Sequence, residues 1–298
     1  MTFPLFLADF DDFVVVGSRI SVVGEEAHHG IVKRIAPGES VLLSNGAGLG
    51  LTGTVVAVDK REFVVEVTAL EPVGDRAWNW MVVQALAKGD RSDLAVQMAT
   101  ELGACRILAW QASRSIVRWS GDRGDKSLAR WQVTARESAK QARRTVVPVV
   151  EAASTADVVA AIGSVDVALV LHEDAERHIA DVVLPDRGTG LVIVGPEGGI
   201  SADELDRFVA EGAMPVLISD GVLRTSTAAA VALGQLDVLA LAQHADQPAG
   251  FHQRLLRGGA DGLQGALGGG DPLLGGQRLH AGGVGAAVGL HHDDRQAV

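Results

Sequence analysis

Short apolar runs alternate with longer segments of helical spacing over most of the chain, from Trp78 to about residue 243. The runs with the composition of buried strands are 80–87, 106–110, 165–171 and 190–194. The segments with helical spacing or helix boundaries are 90–102, 127–144, 202–211 and 226–242. Because strands that alternate with helices are joined by crossover connections, this order predicts an α/β domain with a mainly parallel sheet.

The N-terminal part of the chain has a different pattern. Short runs rich in β-branched residues occur at 13–16, 40–43, 53–58 and 62–67, and turn-forming residues separate them. Several short strands at this spacing are typical of a small β-barrel. The stretch 71–74, Glu-Pro-Val-Gly, has the composition of a domain boundary. We therefore predict a β-barrel over residues 1–72 and the α/β domain over residues 73–246.

The C-terminal residues, 247–298, form a third region by composition. From residue 250 onward there are 14 glycines, and lysine, glutamate and isoleucine do not occur. Such a segment cannot bury enough apolar surface to offset the entropy of ordering it, so we predict a disordered or poorly packed tail. The adjacent pair His291 and His292 has no spaced partner, so we expect no metal site there.

Composition excludes several classes of protein. The 298 residues are 47% hydrophobic and 21% charged, a globular balance that argues against general disorder. No uninterrupted apolar run approaches the roughly 18 residues of a membrane-spanning helix. The single cysteine, Cys105, excludes an intramolecular disulfide framework. No basic segment precedes Asp9, which argues against a signal peptide, and we expect a soluble cytoplasmic protein.

A positively charged segment, 106–144, lies within a chain whose formal net charge is -11. It contains ten basic and three acidic residues. A basic patch on an acidic body attracts a phosphate backbone while the remaining surface repels it, which favours contact with nucleic acid. The alternative is a helix face whose charges pair with acidic neighbours. Trp110, Trp119 and Trp131 lie in the same segment, where they either stack on unpaired bases or anchor the core.

The clearest candidate for a ligand-binding loop follows the apolar run 190–194. Its sequence, Gly-Pro-Glu-Gly-Gly at 195–199, permits tight turns and close approach of the backbone to a ligand. Ser201 and Glu204 then have the spacing of a capping box, which predicts the start of a helix. Loops after the carboxyl ends of parallel strands are where ligands bind in open α/β sheets. A plain strand-turn-helix connection is the alternative, and nucleotide triphosphate chemistry is unsupported because no Gly-Lys-Ser/Thr sequence follows.

A second candidate loop lies at 220–228, where a glycine-containing turn enters an alanine-rich helix. Thr225 or Ser226 is suited to capping that helix. Arg224 lies beside the helix start, where it either contacts a substrate or pairs with an acidic surface neighbour.

The predicted helix 127–144 carries a third set of candidate residues. Glu137, Gln141 and Arg144 have spacings of four and three, which predicts that they share one helix face. That face fits either contact with RNA or a self-paired, solvated stripe.

Four motifs follow one another along the chain. They are Lys88, Asp90 and Arg91 before Ala-Thr-Glu-Leu-Gly at 99–103; the spaced set Glu137, Gln141, Arg144 and Pro148; Gly-Pro-Glu-Gly-Gly at 195–199; and Leu-Arg-Thr-x-Thr-Ala at 223–228. This combination resembles the RsmE family, SPOUT-class methyltransferases that modify N3 of a uridine in small-subunit (16S) ribosomal RNA. The resemblance covers roughly residues 1–243. It implies an N-terminal PUA-like, RNA-binding β-barrel, a SPOUT domain with a deep trefoil knot, S-adenosylmethionine as cofactor, and a homodimer.

The resemblance also implies candidate site residues. The cofactor contacts are Leu171 and His172 at the rim, Gly195, Pro196, Glu197, Gly198 and Gly199 in one loop, and Ile218, Ser219, Gly221, Val222 and Leu223 in another. The RNA contacts are Arg34, Lys88, Arg91, Arg114, Glu137, Gln141 and Arg144. The chain departs from the family pattern, which usually has leucine and glycine at 218 and 219, arginine at 221 and glutamate at 226.

Methylation at N3 sets two chemical requirements. Uridine N3 carries a proton, so the reaction needs a base or a cation that stabilises the uridine anion. Arg224 is the expected stabiliser, and the sequence nominates no base. The uridine has to be unpaired or flipped, because N3 is occupied in a base pair. Two alternatives stay open here: another SPOUT reaction such as ribose 2′-O-methylation, and a non-catalytic RNA-binding module.

Overall fold

Two β-sheets organise the described part of the chain, residues 3–71 and 76–243 of a computed structural model. The first sheet lies within residues 5–71 and the second within residues 78–216. The boundary predicted between residues 72 and 73, and the tail predicted over 247–298, lie outside the described residues.

The first sheet has five strands in the order β1-β3-β4-β5-β2. The strands are Leu5–Leu7 (β1), Arg19–Val23 (β2), Ser40–Ser44 (β3), Gly50–Val58 (β4) and Glu62–Glu71 (β5), and the helix Gly24–Val32 (α1) follows β2. β1 pairs parallel with β3, and the other pairs are antiparallel. Phe6, Val41, Leu51 and Phe63 pack with their neighbours into one buried core. This mixed sheet is consistent with the predicted barrel.

The predicted strand at 13–16 is wrong, because these residues form turns. The side chain of Asp11 accepts a hydrogen bond from the backbone N–H of Phe13 at 3.0 Å. The hydroxyl of Ser18 accepts one from the backbone N–H of Val15 at 3.1 Å. These local acceptors take donors that a strand would give to its neighbour. Phe13 is consequently 88% exposed.

The second sheet has six parallel strands in the order β11-β9-β10-β6-β7-β8. They are Trp78–Ala85 (β6), Arg106–Trp110 (β7), Val149–Ala153 (β8), Val167–Leu171 (β9), Gly188–Val194 (β10) and Met214–Val216 (β11). The helices are Arg91–Glu101 (α2), Gly121–Gln141 (α3), Thr155–Ile162 (α4), Ala202–Ala210 (α5) and Thr225–Gln243 (α6). The predicted α/β architecture with a parallel sheet is confirmed.

Helices cover both faces of this sheet. Residues of α2, α3 and α6 share one buried cluster with Val82, and residues of α4 and α5 share another with Val83. Neighbouring residues of β6 therefore point to opposite faces, as the strand geometry requires. The helix α6 is long and apolar enough for a membrane span. Leu233 and Leu236 bury one side of it in the core, which is typical of a core helix.

Two of the three tryptophans in the positively charged segment, residues 106–144, are core residues. Trp110 and Trp131 are buried, so stacking on bases is excluded for them. Trp119 is half-buried and meets Trp131 edge-on, with ring centroids 5.1 Å apart. The core-anchor interpretation is therefore the one that the structure supports.

The helix predicted over 127–144 is displaced towards the N-terminus. It occupies Gly121–Gln141, and Arg143 has a left-handed backbone with φ 52°. The backbone N–H of Arg144 donates to Ala139 O at 2.8 Å, which closes the helix end. Arg144 lies beyond this turn, so the expectation that it shares a helix face with Glu137 and Gln141 is wrong.

Candidate active site

The segments after β9, β10 and β11 come together at the carboxyl edge of the parallel sheet. These three strands are neighbours or near neighbours in the sheet, so their following loops lie side by side. Together they line a cavity of about 790 Å³. This volume falls within the range of small-molecule sites, about 300–1,000 Å³. The edge is also the one at which open α/β sheets bind their ligands.

Every residue predicted to contact the cofactor lies in the lining of this cavity. The residues are Leu171, His172, Gly195, Pro196, Glu197, Gly198, Gly199, Ile218, Ser219, Gly221, Val222 and Leu223. Arg224, the predicted catalytic residue, lines it too, as do Arg91 and Arg114. The structure thus brings together residues from sequence positions 91 to 224, and their roles stay predictions.

The glycine loop, residues 195–199, leaves little room for side chains. A Cβ atom added at Gly195 would lie 2.8 Å from Cγ1 of Ile200, which is buried. Gly199 has φ +71°, a backbone conformation that favours glycine. A Cβ at Gly198 would lie 3.3 Å from the carbonyl oxygen of Arg114. The loop therefore presents mainly backbone groups at the cavity.

A buried chain of hydrogen bonds fixes the start of this loop. The amide nitrogen of Gln84, in β6, donates to the hydroxyl of Thr225 at 3.0 Å. That hydroxyl donates to the carbonyl oxygen of Gly195 at 2.8 Å. Thr225 therefore joins the second loop to the first rather than only starting α6. Gln84 is missing from the predicted site; a glutamine inside an otherwise apolar strand is the signal that points to it.

The predicted capping box at the start of α5 is confirmed. The hydroxyl of Ser201 accepts from the backbone N–H of Glu204 at 3.3 Å, and the Glu204 carboxylate accepts from the backbone N–H of Ser201 at 3.3 Å. This cap ends the glycine loop at a defined place, because the helix cannot start earlier without losing both bonds.

Charged groups of both signs line the cavity. The carboxylates are Glu173, Asp174, Glu197 and Asp220, and the guanidinium groups are Arg91, Arg114 and Arg224. Arg224 is exposed and immediately precedes α6, and its carbonyl oxygen accepts from the backbone N–H of Thr227 at 2.9 Å. His172 accepts a hydrogen bond at Nδ1 from the backbone N–H of Asp174, at 3.2 Å.

The other predicted RNA contacts lie outside the cavity lining. Lys88 is adjacent to it, since its backbone N–H donates to Glu197 Oε1 at 3.3 Å. Arg34 follows α1, and Gln141 is exposed at the end of α3. Glu137, also exposed, pairs with Lys140 at 3.1 Å. Their contact with RNA stays a prediction.

Arg144 has a structural position that its sequence spacing does not show. Its Nε donates to the carbonyl oxygen of Glu101 at 2.7 Å, at the end of α2. Burial and the nearby Arg76 lower the pKa of this guanidinium, although it stays charged at neutral pH. A cation at a helix C-terminus is favourable. Arg144 therefore has a structural contact with the end of α2 that does not depend on RNA.

Part of the positive charge of the segment 106–144 is neutralised by ion pairs with acidic residues of the same chain. Arg136 and Lys140 both approach the buried Glu26 of α1 at 3.0 Å. Arg106 pairs with Glu151, and Arg130 pairs with Asp93. The alternative weighed for this segment, pairing with acidic neighbours, therefore holds for these side chains. The arginines at the cavity remain the better candidates for attracting a phosphate backbone.

Comparisons with known proteins extend these observations. A family profile described as an RNA methyltransferase domain matches residues 76–237. The ribosomal RNA small subunit methyltransferase E of Mycobacterium bovis is 40% identical over 232 residues, which cover 75% of this chain and 87% of that protein. The protein of the same name from Bacillus subtilis is 28% identical over 228 residues, with 72% and 88% of the two chains covered.

One solved structure is similar to this chain in its fold as well as in its sequence. The ribosomal RNA small subunit methyltransferase E from Neisseria gonorrhoeae, bound to S-adenosyl methionine, is 26% identical to this chain. The two align with a TM-score of 0.70 over 80% of this chain and 98% of the other. The profile match spans more than half of the chain, and the mycobacterial similarity spans most of it. The chain therefore belongs to the ribosomal RNA small subunit methyltransferase E family, RsmE.

Proposed function

We propose that the protein transfers a methyl group from S-adenosylmethionine to N3 of a uridine in small-subunit (16S) ribosomal RNA, in the cytoplasm. The family and its RNA methyltransferase profile support the reaction, and the relative bound to S-adenosyl methionine supports the donor. The N3 position follows from membership of the RsmE family. The observation that carries the proposal is the cavity that gathers the glycine loop, residues 217–223 and Arg224 at one sheet edge.

The cavity suits S-adenosylmethionine in its backbone and its charge. The glycine loop offers backbone groups at close range, because Ile200 leaves no space for a side chain at Gly195. The carboxylates that line the cavity complement the ammonium and sulfonium charges of S-adenosylmethionine. An arginine of the cavity complements its carboxylate. Leu171 and His172, the glycine loop and the segment 218–223 would hold it.

When bound, S-adenosylmethionine supplies a methyl group that is already electrophilic. The residues of this chain then have to orient the acceptor and stabilise the charge that forms on it. Arg224, exposed at the cavity, keeps its positive charge at neutral pH. It stabilises the negative charge that spreads over the uridine ring as N3 loses its proton. The uridine has to leave any base pair before N3 reaches the cavity.

The arginines at the cavity define the side from which RNA approaches. Arg91, Arg114 and Arg224 line the same opening, although they come from three separate parts of the chain. A local cationic rim attracts a phosphate backbone, and a net charge of -11 keeps RNA away from the remaining surface. Arg34, in the PUA-like barrel over residues 1–72, is a further proposed RNA contact outside the cavity.

The proposal includes a deep trefoil knot in the SPOUT domain over residues 73–246, and a homodimer. An exposed apolar stripe on α6 supports the dimer. Val231, Val238 and Leu241 are 36%, 66% and 50% exposed, and Gly234 lies between them. Spacings of three and four put all four on one helix face. Replacing Val238 with aspartate is expected to give a monomer in sedimentation velocity; a monomeric wild type or a dimeric variant contradicts the interface.

Nucleoside mass spectrometry tests the reaction. Unmodified 16S RNA and reconstituted small subunits are incubated with the protein and methyl-labelled S-adenosylmethionine, then digested. We expect the label in 3-methyluridine, which also stops reverse transcription because N3 no longer pairs. Label in a 2′-O-methylated nucleoside instead supports the other SPOUT reaction. No label and no heat of cofactor binding supports the RNA-binding module.

The variant Arg224→Ala separates binding from chemistry in the same assay. Losing a group that stabilises charge in the transition state costs about 10²–10³ in rate. We expect that loss in methyl transfer, with the affinity for S-adenosylmethionine within about twofold of wild type, because the uridine anion rather than the donor needs Arg224. A variant that transfers methyl groups at the wild-type rate contradicts the assigned role.

A further inference from the structure

A buried carboxylate behind the cavity wall, that of Glu204, joins three segments of the α/β domain. The side chain belongs to the first turn of α5, and the residue is only 3% exposed. Oε1 accepts from the backbone N–H of Ser113 at 2.8 Å and from the Thr155 hydroxyl at 3.1 Å. Oε2 accepts from the hydroxyls of Ser113 and Ser201 at 2.7 and 2.8 Å, and from the backbone N–H of Ser201 at 3.3 Å.

Helix capping explains only part of this arrangement. The same domain has a second capping box, in which Asp157 of α4 accepts from the backbone N–H and the hydroxyl of Ser154. Asp157 is exposed, and its hydrogen bonds stay within its own helix end. Glu204 has the equivalent bonds to Ser201 and adds those to Ser113 and Thr155. The additional bonds reach the loop after β7 and the start of α4.

The loop after β7 forms one wall of the cavity. Arg114, the residue after Ser113, donates from its guanidinium to the carbonyl oxygens of Gly198 and Ile200, both at 3.4 Å. The backbone of Arg114 also lies against Gly198, where an added Cβ would approach its carbonyl oxygen to 3.3 Å. Any movement of the Ser113 segment therefore changes the position of the glycine loop.

We propose that Glu204 is a positioning residue for the methyl-donor site, where it holds the segment of Ser113 and Arg114 against the glycine loop. The inference rests on the proposed function, since it takes the cavity as the donor site. Glu204 acts through its neighbours, and it does not itself line the cavity. Its contribution is to fix the distance between two loops that both face the ligand.

The negative charge of Glu204 is part of this role. Burial raises the pKa of the carboxyl, but the hydrogen bonds from Ser113 and Ser201 outweigh burial and lower the pKa below its ordinary value. The ionised group offers about four acceptor sites on its two oxygens and carries no hydrogen that would oppose the N–H and O–H groups around it. A glutamine in its place keeps one acceptor oxygen and turns two N–H groups towards other donors. One or more buried donors would then lose their partner.

The test compares Glu204→Gln with Asp157→Asn, which alters the other capping box. Hydrogen exchange on the protein without ligand is followed at residues 112–118 and 195–201. We expect Glu204→Gln to accelerate exchange there by about tenfold, the effect of losing roughly one charge-assisted hydrogen bond. Calorimetry is expected to show the Kd for S-adenosylmethionine raised by about the same factor. Asp157→Asn is expected to leave both quantities within about twofold of wild type, because the Asp157 carboxylate bonds to Ser154 and not to Ser113 or Ser201.

A milder variant keeps the test decisive if Glu204→Gln folds poorly. Ser113→Ala removes one hydroxyl that donates a hydrogen bond to Glu204, and Ser113 is an exposed residue. We expect this variant also to raise the Kd for S-adenosylmethionine. In the double variant the two effects are expected to combine less than additively, because they remove one shared network. Unchanged exchange in residues 112–118, or strict additivity, overturns the positioning role. If wild-type protein binds no S-adenosylmethionine, the proposed function is refuted. If hydrogen exchange is still accelerated in Glu204→Gln in that case, the inference that Glu204 positions the two loops still holds.

Discussion

Replacing Gly195 with alanine perturbs the cavity at a point where the structure leaves little room for an added carbon atom. The added methyl carbon would lie 2.8 Å from Cγ1 and 3.5 Å from Cδ1 of Ile200. Carbon atoms pack best at about 3.5–4.0 Å, so the nearer contact is roughly 0.7 Å too close. Ile200 is buried, and Cγ1 lies near its backbone rather than at a freely moving end. The glycine loop or its neighbour therefore has to move.

The cost of that movement can be estimated. Overpacking of this kind costs about 1–3 kcal/mol. If the loop keeps its position, the cost falls on the free energy of unfolding. If the loop moves to relieve the contact, the cost falls on ligand binding, where about 1.4 kcal/mol is tenfold in Kd. We expect the two losses together to amount to about 1–3 kcal/mol.

Urea denaturation and calorimetric titration of S-adenosylmethionine measure the two parts separately. Gly163→Ala is the matched control, because its added Cβ would meet the end of the Glu211 side chain, which is exposed and able to move. We expect the control to be neutral or to stabilise by less than about 1 kcal/mol. If Gly195→Ala matches this control in stability and the wild type in Kd, the packing argument for the glycine loop is refuted.

Three further predictions follow from the contacts described above. Gly190→Ala would place a Cβ 2.0 Å from Cζ3 of the buried Trp80 ring, and we expect a loss of about 3 kcal/mol in urea denaturation; a loss below about 1 kcal/mol contradicts the packing of β10 against β6. The lowered pKa of Glu204 stabilises the fold above its ordinary value of 4.5, and this contribution is lost as the pH falls through the lower value in the folded state. The stability difference between wild type and Glu204→Gln should therefore shrink on acidification, and a difference that is constant between pH 7 and pH 3 counts against the ionised network. Arg91→Ala should lower the magnitude of the slope of log K for RNA against log salt by about 1, and an unchanged slope excludes a phosphate contact there.

The parallel sheet and the place of the cavity were predictable because they depend on local signals. Apolar runs separated by helical spacing specify a parallel α/β order, and three of the predicted helices end within one residue of α2, α5 and α6. The carboxyl ends of the strands then have to meet at one edge. The strands β8 and β11 were not predicted; β11 has only three residues and contains Pro215.

Local side-chain and backbone contacts, and one contact between distant residues, account for what sequence spacing did not reveal. The strand predicted at 13–16 failed because Asp11 and Ser18 satisfy its backbone donors locally. The face predicted for Arg144 failed because the left-handed Arg143 ends α3 first. The bond between Gln84 and Thr225 joins residues 141 positions apart. No periodicity in one sequence reports such a pair, since it exists only once β6 and the start of α6 have been brought together.

A crystal structure of the protein with S-adenosylmethionine is the most direct test of the account. We predict density for the donor between the glycine loop and residues 218–223, with its methyl group on the side of Arg224. A second cavity, of about 840 Å³, lies near Glu25 and Arg136. A donor bound in that cavity, or in any place away from the carboxyl edge of the parallel sheet, would contradict the central claim.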